Sequence, residues 1–343
     1  MKKVLFIATS NKTKGGITSV LNTYKQCSFW EKYKVKWIVT HIDKNKLFKI
    51  VYFFYGLIQY FLFIGFYDIV HVHVGELLSC KRKYIFCKIA KLLKKKTIIH
   101  FHIGTQINTL AKNTICKEMI NNATAVIVLS NDTKKNVLNL FQIHEENVHV
   151  IYNPCMSVKN AAYTDENRMI LYAGRLDQNK GYDILLKAFA QIAKKYPDWK
   201  IIFAGNGEVS KASQIATDAQ ITNQVEFKGW VSGTEKEQLF RKATFLCLTS
   251  YAEGFPMSIL DAWAYGLPVV CTPVGGLKDV LINNENALLF HPGNIEQLSE
   301  QLERMMTNDL LREKIAKESH QLSLTAFNLK NIEKQLDALY NSI

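Results

Sequence analysis

The sequence predicts an α/β chain made of two doubly wound parallel sheets in tandem, and three observations carry that expectation. Its 343 residues exceed what one hydrophobic core usually organises and suit two domains of roughly 150 to 180 residues. Short runs rich in Val and Ile alternate with longer segments of helical period, the signature of βαβ units whose strands are buried on both faces. The alternation then restarts, so the strands fall into two successive sets.

The first set is VLFIA (4–8), VKWIVT (35–40), DIVHVHV (68–74), TIIHFH (97–102), AVIVLS (125–130) and VHVIY (148–152). The second is MILYAG (169–174), KIIFAG (200–205), VEFKG (225–229), TFLCLTS (244–250), PVVCT (268–272) and ALLF (287–290). The polar stretch SVKNAAYTDENR (157–168) reads as the linker, giving Rossmann-like domains over 1–160 and 161–325. Helices are expected over 294–319 and 326–341, and the segment 326–343 is able to cross back to the first domain. No repeat of 20 to 50 residues appears, which excludes a solenoid.

The seven cysteines are scattered singly, without a CxxC pair, which argues against a disulfide framework or a structural zinc and for a reducing cytoplasm. After MKK the apolar run ends within six residues, short of the roughly 7 to 15 of a signal-peptide core, and reads as a first buried strand. Residues 1–160 carry 24 Lys and Arg against 8 Asp and Glu, whereas 161–343 carry 19 against 22. A basic first half suits nucleic acid, an anionic membrane surface or a phosphorylated substrate. No motif that reads RNA or DNA accompanies it, which disfavours nucleic acid.

Ligands of open α/β sheets bind beyond the carboxyl ends of the strands, and tandem domains are expected to enclose one in a cleft between them. Gly15 and Gly16 follow the first strand and precede a helical pattern, so they suit either a tight turn or an anion at a helix N-terminus. GxGxxG is absent there, which weakens a nicotinamide-dependent oxidoreductase. AGRLDQNKG (173–181) sets Arg175 and Lys180 on one strand-end loop, where a fork and a point charge grip neighbouring phosphates. AGNGE (204–208) is a second glycine turn after a strand, with Gly205 and Gly207. Glu253 lies just ahead of Pro256, which suits the first position of a helix, and Asp261 lies little more than one turn beyond. Taken separately, each acid is equally a helix-end or satisfied helix group. His100 and His102 share one side of a strand, as do His71 and His73, for which a core role is expected. No Asp-x-Asp triplet occurs, so neither a metal bridge to a diphosphate nor any other metal or cofactor is expected.

AGRLDQNKG, FAGNGE, FKGWVS, LTSYAEGFPMSILDAWAYGLPVV and VGGLKDVLINNENALLFHPGN, in this order, make the chain resemble family 4 of the retaining, nucleotide-sugar-dependent glycosyltransferases of the GT-B fold. The resemblance covers nearly the full length and is strongest from Ile170 to Phe290. It implies that Gly15 and Gly16 face the donor diphosphate, that Arg175 and Lys180 hold it, and that Gly174, Gly205 and Gly207 belong to the same donor-binding loops. It further implies that Glu253 binds hydroxyls of the donor sugar, helped by the backbone of Gly254, Phe255, Pro256 and Met257, that Asp261 takes the ribose, that Ser258 belongs to the donor site, and that His102 lies near the sugar. Two departures stand out: the family's second acid is usually glutamate, and Ala287 stands where glycine is common. At His102 the match is offset, because Ile103 separates it from Gly104.

LFKIVYFFYGLIQYFLFIGFY (47–67) has the length of a membrane span of about 20 residues. It lies between two strands of one expected sheet, which a crossing would separate, so the choice is a helix packed inside the domain or one that dips into the lipid interface. In the next helix, 79–96, Lys81, Lys88, Lys91 and Lys95 fall in one arc beside Ile85, Phe86, Ile89, Leu92 and Leu93, which suits a solvated face or an anionic membrane surface. The resulting expectation is a retaining, metal-independent transferase that moves a sugar from a nucleotide-diphosphate sugar, its co-substrate, to a hydroxyl of a lipid-linked or growing envelope saccharide such as capsule or O-antigen. It would sit in the cytoplasm, peripheral on the inner face of the membrane. The rival readings are a non-catalytic sugar-nucleotide-binding protein and another enzyme on the same frame, such as an epimerase or a phosphorylase.

Overall fold

The computed structural model describes residues 2–103, 106–158 and 167–343. Two compact units divide the chain: Met1–Pro154 with Glu253–Met257 and Leu329–Ile343, and Cys155–Ala252 with Ser258–Asn328. Most of the expected linker, 159–166, and Gly104 lie outside the described residues.

In chain order the first unit runs β1 (Val4–Ala8), α1 (Gly16–Tyr24), α2 (Ser28–Lys32), β2 (Lys36–Val39), α3 (Lys46–Phe63), β3 (Ile69–Val74), α4 (Leu77–Leu92), β4 (Lys96–Phe101), α5 (Ile107–Ala111), α6 (Thr114–Asn121), β5 (Ala125–Val128), α7 (Asn131–Leu140) and β6 (Val148–Val150). The strands pair in parallel in the order β2-β1-β3-β4-β5-β6. Side chains of alternate parity build a core on each face. Leu5, Ile7, Val70, Val72 and Ile99 lie with α3, α4 and α6 on one side, and Phe6, Ile69, Ile98 and Ile127 lie with α1 and α2 on the other.

The second unit continues β7 (Met169–Ala173), α8 (Tyr182–Ile192), β8 (Lys200–Ala204), α9 (Val209–Asp218), β9 (Val225–Phe227), α10 (Gly233–Lys242), β10 (Phe245–Leu248), α11 (Met257–Ala264), β11 (Val269–Cys271), β12 (Leu288–Leu289), α12 (Ile295–Thr307) and α13 (Asp309–Leu324). Its parallel order is β12-β11-β10-β7-β8-β9. The winding direction reverses between β7 and β10, the topological switch point at whose carboxyl edge such sheets bind ligands.

The last helix, α14 (Leu329–Ser342), packs Ile332, Leu336, Leu339 and Tyr340 into the first unit. Asp337 pairs with Lys32 and accepts a hydrogen bond from Tyr33 Oη at 2.7 Å, and Glu333 accepts from the Phe29 N–H at 2.6 Å.

Two helical expectations need correction. The segment 294–319 is not one helix: Asn308 leaves helical geometry (φ −115°, ψ 92°), and its side chain accepts from the Leu311 N–H, capping α13. The segment 79–96 ends early, because α4 stops at Leu92 and Lys94 turns to φ 53°. Lys95 therefore stands outside the lysine arc and donates to the Gly65 carbonyl at 3.3 Å.

Candidate active site

In the second unit the loop after β7 is pinned before any ligand is considered. Asp177 caps the short turn Gln178–Lys180 by accepting from the Lys180 N–H at 3.0 Å. Gly181 takes φ 61°, and a Cβ there would run into the Thr249 carbonyl. Thr249 Oγ1 reaches the carbonyls of Lys180 and Gly181 at 2.8 and 2.7 Å, and Tyr172 Oη donates to the Arg175 carbonyl at 2.9 Å. A rigid backbone thus presents Arg175, whose exposed guanidinium lies 3.6 Å from Asp177, and the partly buried Lys180. Both follow the strand that flanks the switch point.

Gly205 and Gly207 have a packing task that the sequence did not disclose. The loop after β8 lies against the loop after β7, joined by Gly174 N–H to Ala204 O at 3.1 Å and by Leu176 N–H to Asn206 O and Glu208 N–H to Leu176 O, both at 2.8 Å. A Cβ on Gly205 would overlap the Gly174 carbonyl, and one on Gly207 the Leu176 carbonyl. Gly205 and Gly207 thus let two strand-end loops come to backbone contact, whereas a Cβ on Gly174 would meet only Tyr172 at ordinary distance. A hollow of about 620 Å³ opens beside them, with Gln178, Tyr182, Glu208 and Tyr251 among its walls; Arg175 and Lys180 are not wall residues.

Asp261, in α11, is only 8% exposed, and Lys236 of α10 meets its Oδ2 at 2.6 Å. Burial raises the carboxyl's pKa, and Lys236 opposes that shift without cancelling it. Sequence reasoning missed Lys236, because a lysine in GTEKEQLF looks like part of a solvated helix face. Ser258 sits in the first turn of α11, partly buried.

In the first unit Gly15 is the N-cap of α1, and no side chain caps that end among the described residues. A Cβ on Gly15 or Gly16 would meet nothing within 4 Å, so the helix N-terminus is open. His102 follows β4 directly and donates its N–H to the Val74 carbonyl at 2.8 Å. The segment Glu253–Met257 lies with this unit. A Cβ on Gly254 would approach the His102 carbonyl to 2.8 Å, so glycine permits that contact. Asn153 donates to the Phe255 carbonyl at 3.1 Å, Tyr152 packs edge-on to Phe255, and Met257 joins the core beneath. Glu253 and Pro256 are thereby fixed at the start of α11, whose first residue is Met257, one later than the sequence suggested.

The four histidines form one stack. His73 pairs in register with His100 across β3 and β4, and neighbouring rings lie 4.3 to 5.3 Å apart. Tyr340 Oη meets His71 Nδ1 at 2.7 Å, His71 Nε2 meets His100 Nδ1 at 3.2 Å, and His73 Nδ1 meets His102 Nε2 at 2.9 Å. Desolvation, reinforced by mutual repulsion, holds His71, His73 and His102 well below the usual imidazole range, and burial alone takes His100 down to about 3. All four are neutral at pH 7. Nitrogens of His71, His73 and His100 lie within 4.8 Å of one another, as a metal site requires. Two of these nitrogens are already engaged with each other, His71 Nε2 with His100 Nδ1, and the other nitrogen of His71 with Tyr340 Oη. Beneath the stack Lys83 is 1% exposed and donates to the His73 carbonyl and to Ser79 Oγ, and desolvation lowers its pKa to about 7. Sequence reasoning placed Lys83 nowhere, since nothing in SCKRKYIFCK separates it from its solvated neighbours.

Comparison with known proteins bears on this frame from both ends. Residues 157–322 match the family described as Glycosyl transferases group 1, and residues 32–155 match Glycosyltransferase Family 4. An uncharacterized glycosyltransferase of Haemophilus influenzae is 33% identical over 183 residues, which are 52% of this chain and 50% of that protein. The lipopolysaccharide 1,6-galactosyltransferase of Salmonella typhimurium is 27% identical over 234 residues, 66% of this chain and 64% of that one. The matches thus span about half to two thirds of these relatives' own lengths. The fold matches that of Anabaena HepE, solved with UDP-glucose, with a TM-score of 0.80 over the whole of both chains at 19% identity. Two adjoining family matches and a shared fold over the full length leave one assignment: the chain belongs to the group 1 glycosyltransferases of the GT-B fold.

Proposed function

We propose that this protein transfers a sugar from a nucleotide-diphosphate sugar to an acceptor hydroxyl, with retention at the anomeric carbon and without a metal. The observation that carries the reading is the pinned loop after β7, which offers Arg175 and Lys180 at the carboxyl edge of a strand bordering the switch point. Their charges suit the diphosphate that accumulates negative charge as it leaves. Glu253 and the backbone from Gly254 to Met257 take the sugar, Asp261 takes the ribose, and Ser258, in the first turn of the same helix, belongs to the same donor site.

In the reaction the bond from the anomeric carbon to the diphosphate oxygen breaks and a bond to the acceptor oxygen forms on the same face. The acceptor proton passes to an oxygen of the leaving diphosphate, so no side-chain base is required. His102, neutral at pH 7, offers the sugar a hydrogen bond without adding charge.

The acceptor is a lipid-linked or growing envelope saccharide met at an anionic membrane surface. Support comes from the outward apolar face of α3 and from the exposed Lys81, Lys88 and Lys91 of α4. HepE's bound UDP-glucose and the Salmonella relative's lipopolysaccharide substrate agree with this donor and acceptor class. The test is an assay of hydrolysis and transfer over a panel of UDP, GDP and ADP sugars. Arg175→Ala with Lys180→Ala is expected to abolish turnover in a protein that stays folded by circular dichroism; retained turnover would sink the assignment.

A further inference from the structure

Helices α3 and α4 enclose a groove of about 560 Å³, within the range of small-ligand pockets. Ile50, Phe53 and Phe54 from α3 and Ile85 from α4 give it an apolar wall, and Lys49, Lys81 and Arg82 give it a cationic one. Arg82 is unusual. Its Nε is buried without a hydrogen-bond partner among the described residues, and no carboxylate pairs with its guanidinium there. The groups that face it are themselves basic. Lys83 lies beside it, and His41 is brought down to about 4, first by burial and then by Arg82 and Lys49. Asp43, an acid of this neighbourhood, lies 3.8 Å from Lys49 and acts on His41 against the cations. A partly buried guanidinium among cations lacks the counter-anion that such groups normally have.

We propose that this groove binds the phosphate-bearing end of a membrane lipid, with an apolar chain along Ile50, Phe53, Phe54 and Ile85 and the phosphate on Arg82, flanked by Lys49 and Lys81. The proposal rests on the reading that this face meets a membrane and deepens it, because a surface that merely sensed charge would need neither an apolar wall nor a buried guanidinium. Guanidinium suits the site, since its planar fork takes two phosphate oxygens at once.

The test is calorimetric titration of the full chain with decyl phosphate below its micellar concentration, with inorganic phosphate and decanol as separate probes. Decyl phosphate is expected to bind at one site, at least about tenfold more tightly than either fragment, and Arg82→Gln is expected to cost at least about tenfold, as lost charge-assisted hydrogen bonds do. Ile85→Asn, at a partly exposed position, should weaken decyl phosphate and leave any inorganic phosphate binding unchanged. Equal affinity for inorganic phosphate, or decyl phosphate binding indifferent to both substitutions, would overturn the proposal. Co-sedimentation with phosphatidylglycerol vesicles separates the two claims: vesicle binding with an indifferent groove removes the groove alone, and a wild-type chain that ignores vesicles removes the membrane reading itself.

Discussion

Helices α3 and α8 are both apolar and both lie against a parallel sheet, yet they are used in opposite ways. Of the eleven residues of α8, seven are buried, among them Leu185, Leu186 and Phe189. Of the eighteen of α3, only Gly56 and Tyr60 are buried, while Phe54, Phe61 and Leu62 are about 60% exposed. The difference arises from what flanks each helix. α8 packs between α12 and α9 in one core, whereas α3 meets β2 at Gly56, where a Cβ would collide with the Val39 carbonyl, and α4 through Phe53 and Tyr60 at Phe86. Apolar content therefore reports burial only where neighbouring elements cover the helix on its flanks. The segment Lys46–Phe66 is long and apolar enough to cross a bilayer, but it links β2 to β3, which both pair with β1. It is a crossover that has kept a lipid-like face.

The sharpest way to break this contrast is Phe189→Ala. It empties a packed core position and should cost about 3 to 5 kcal/mol in urea unfolding of the second unit. A cost below about 1 kcal/mol would mean that the packing around α8 is loose and the contrast with α3 false.

Next in size is the pH response of the first unit's charged interior. Lys83 has a folded pKa of about 7 against an unfolded value near 10.4, so between those values the unfolded chain holds the extra proton and stability rises with pH. Below pH 7 both states are charged, and burial of the cation costs its full amount, on the order of a few kcal/mol. The histidine stack acts in a lower window: its depressed pKa values make stability fall as pH drops below about 6.5. Lys83→Met should flatten the slope between pH 7 and 10 and leave the acid limb in place. Comparing the variant with the parent removes the buried thiols, which pull the other way above about pH 8.5. An unchanged slope would deny that Lys83 is buried.

Much of this contrast was legible in advance, and its limits have physical causes. Val and Ile runs disclosed the strands because burial on both faces leaves little other choice, and GRLDQNK disclosed a loop that carries two cations just beyond a strand end. The break at Asn308 was visible as an Asn-Asp cap and was lost beneath a continuous apolar period. Lys83, Lys236 and the zipped backbones at Gly205 and Gly207 were not legible, because each depends on a neighbour remote in sequence. The two outcomes for helix 47–67 could not be separated by composition, since both need the same residues; the structure leaves all of α3 but Gly56 and Tyr60 at least partly exposed, and what meets that face is the subject of the vesicle test.

Gly56→Ala tests how α3 is attached. A methyl group there must push the helix off β2, at a cost of about 1 to 3 kcal/mol. If stability is unchanged, the helix is free to lift, and its exposed face is no evidence for a fixed lipid contact.

The smallest expected effect on stability belongs to the face itself. Phe54→Ser with Phe61→Ser removes two rings that stand mostly in solvent, so each should change unfolding by no more than about 0.5 kcal/mol. Vesicle binding should fall far more, because each ring that inserts contributes apolar transfer energy that the folded chain does not otherwise use. The pairing of the two readouts decides the matter. Unchanged stability with lost vesicle binding gives α3 a partner outside the chain, whereas a stability loss comparable to that of Phe189→Ala would place those rings in a core and end the contrast.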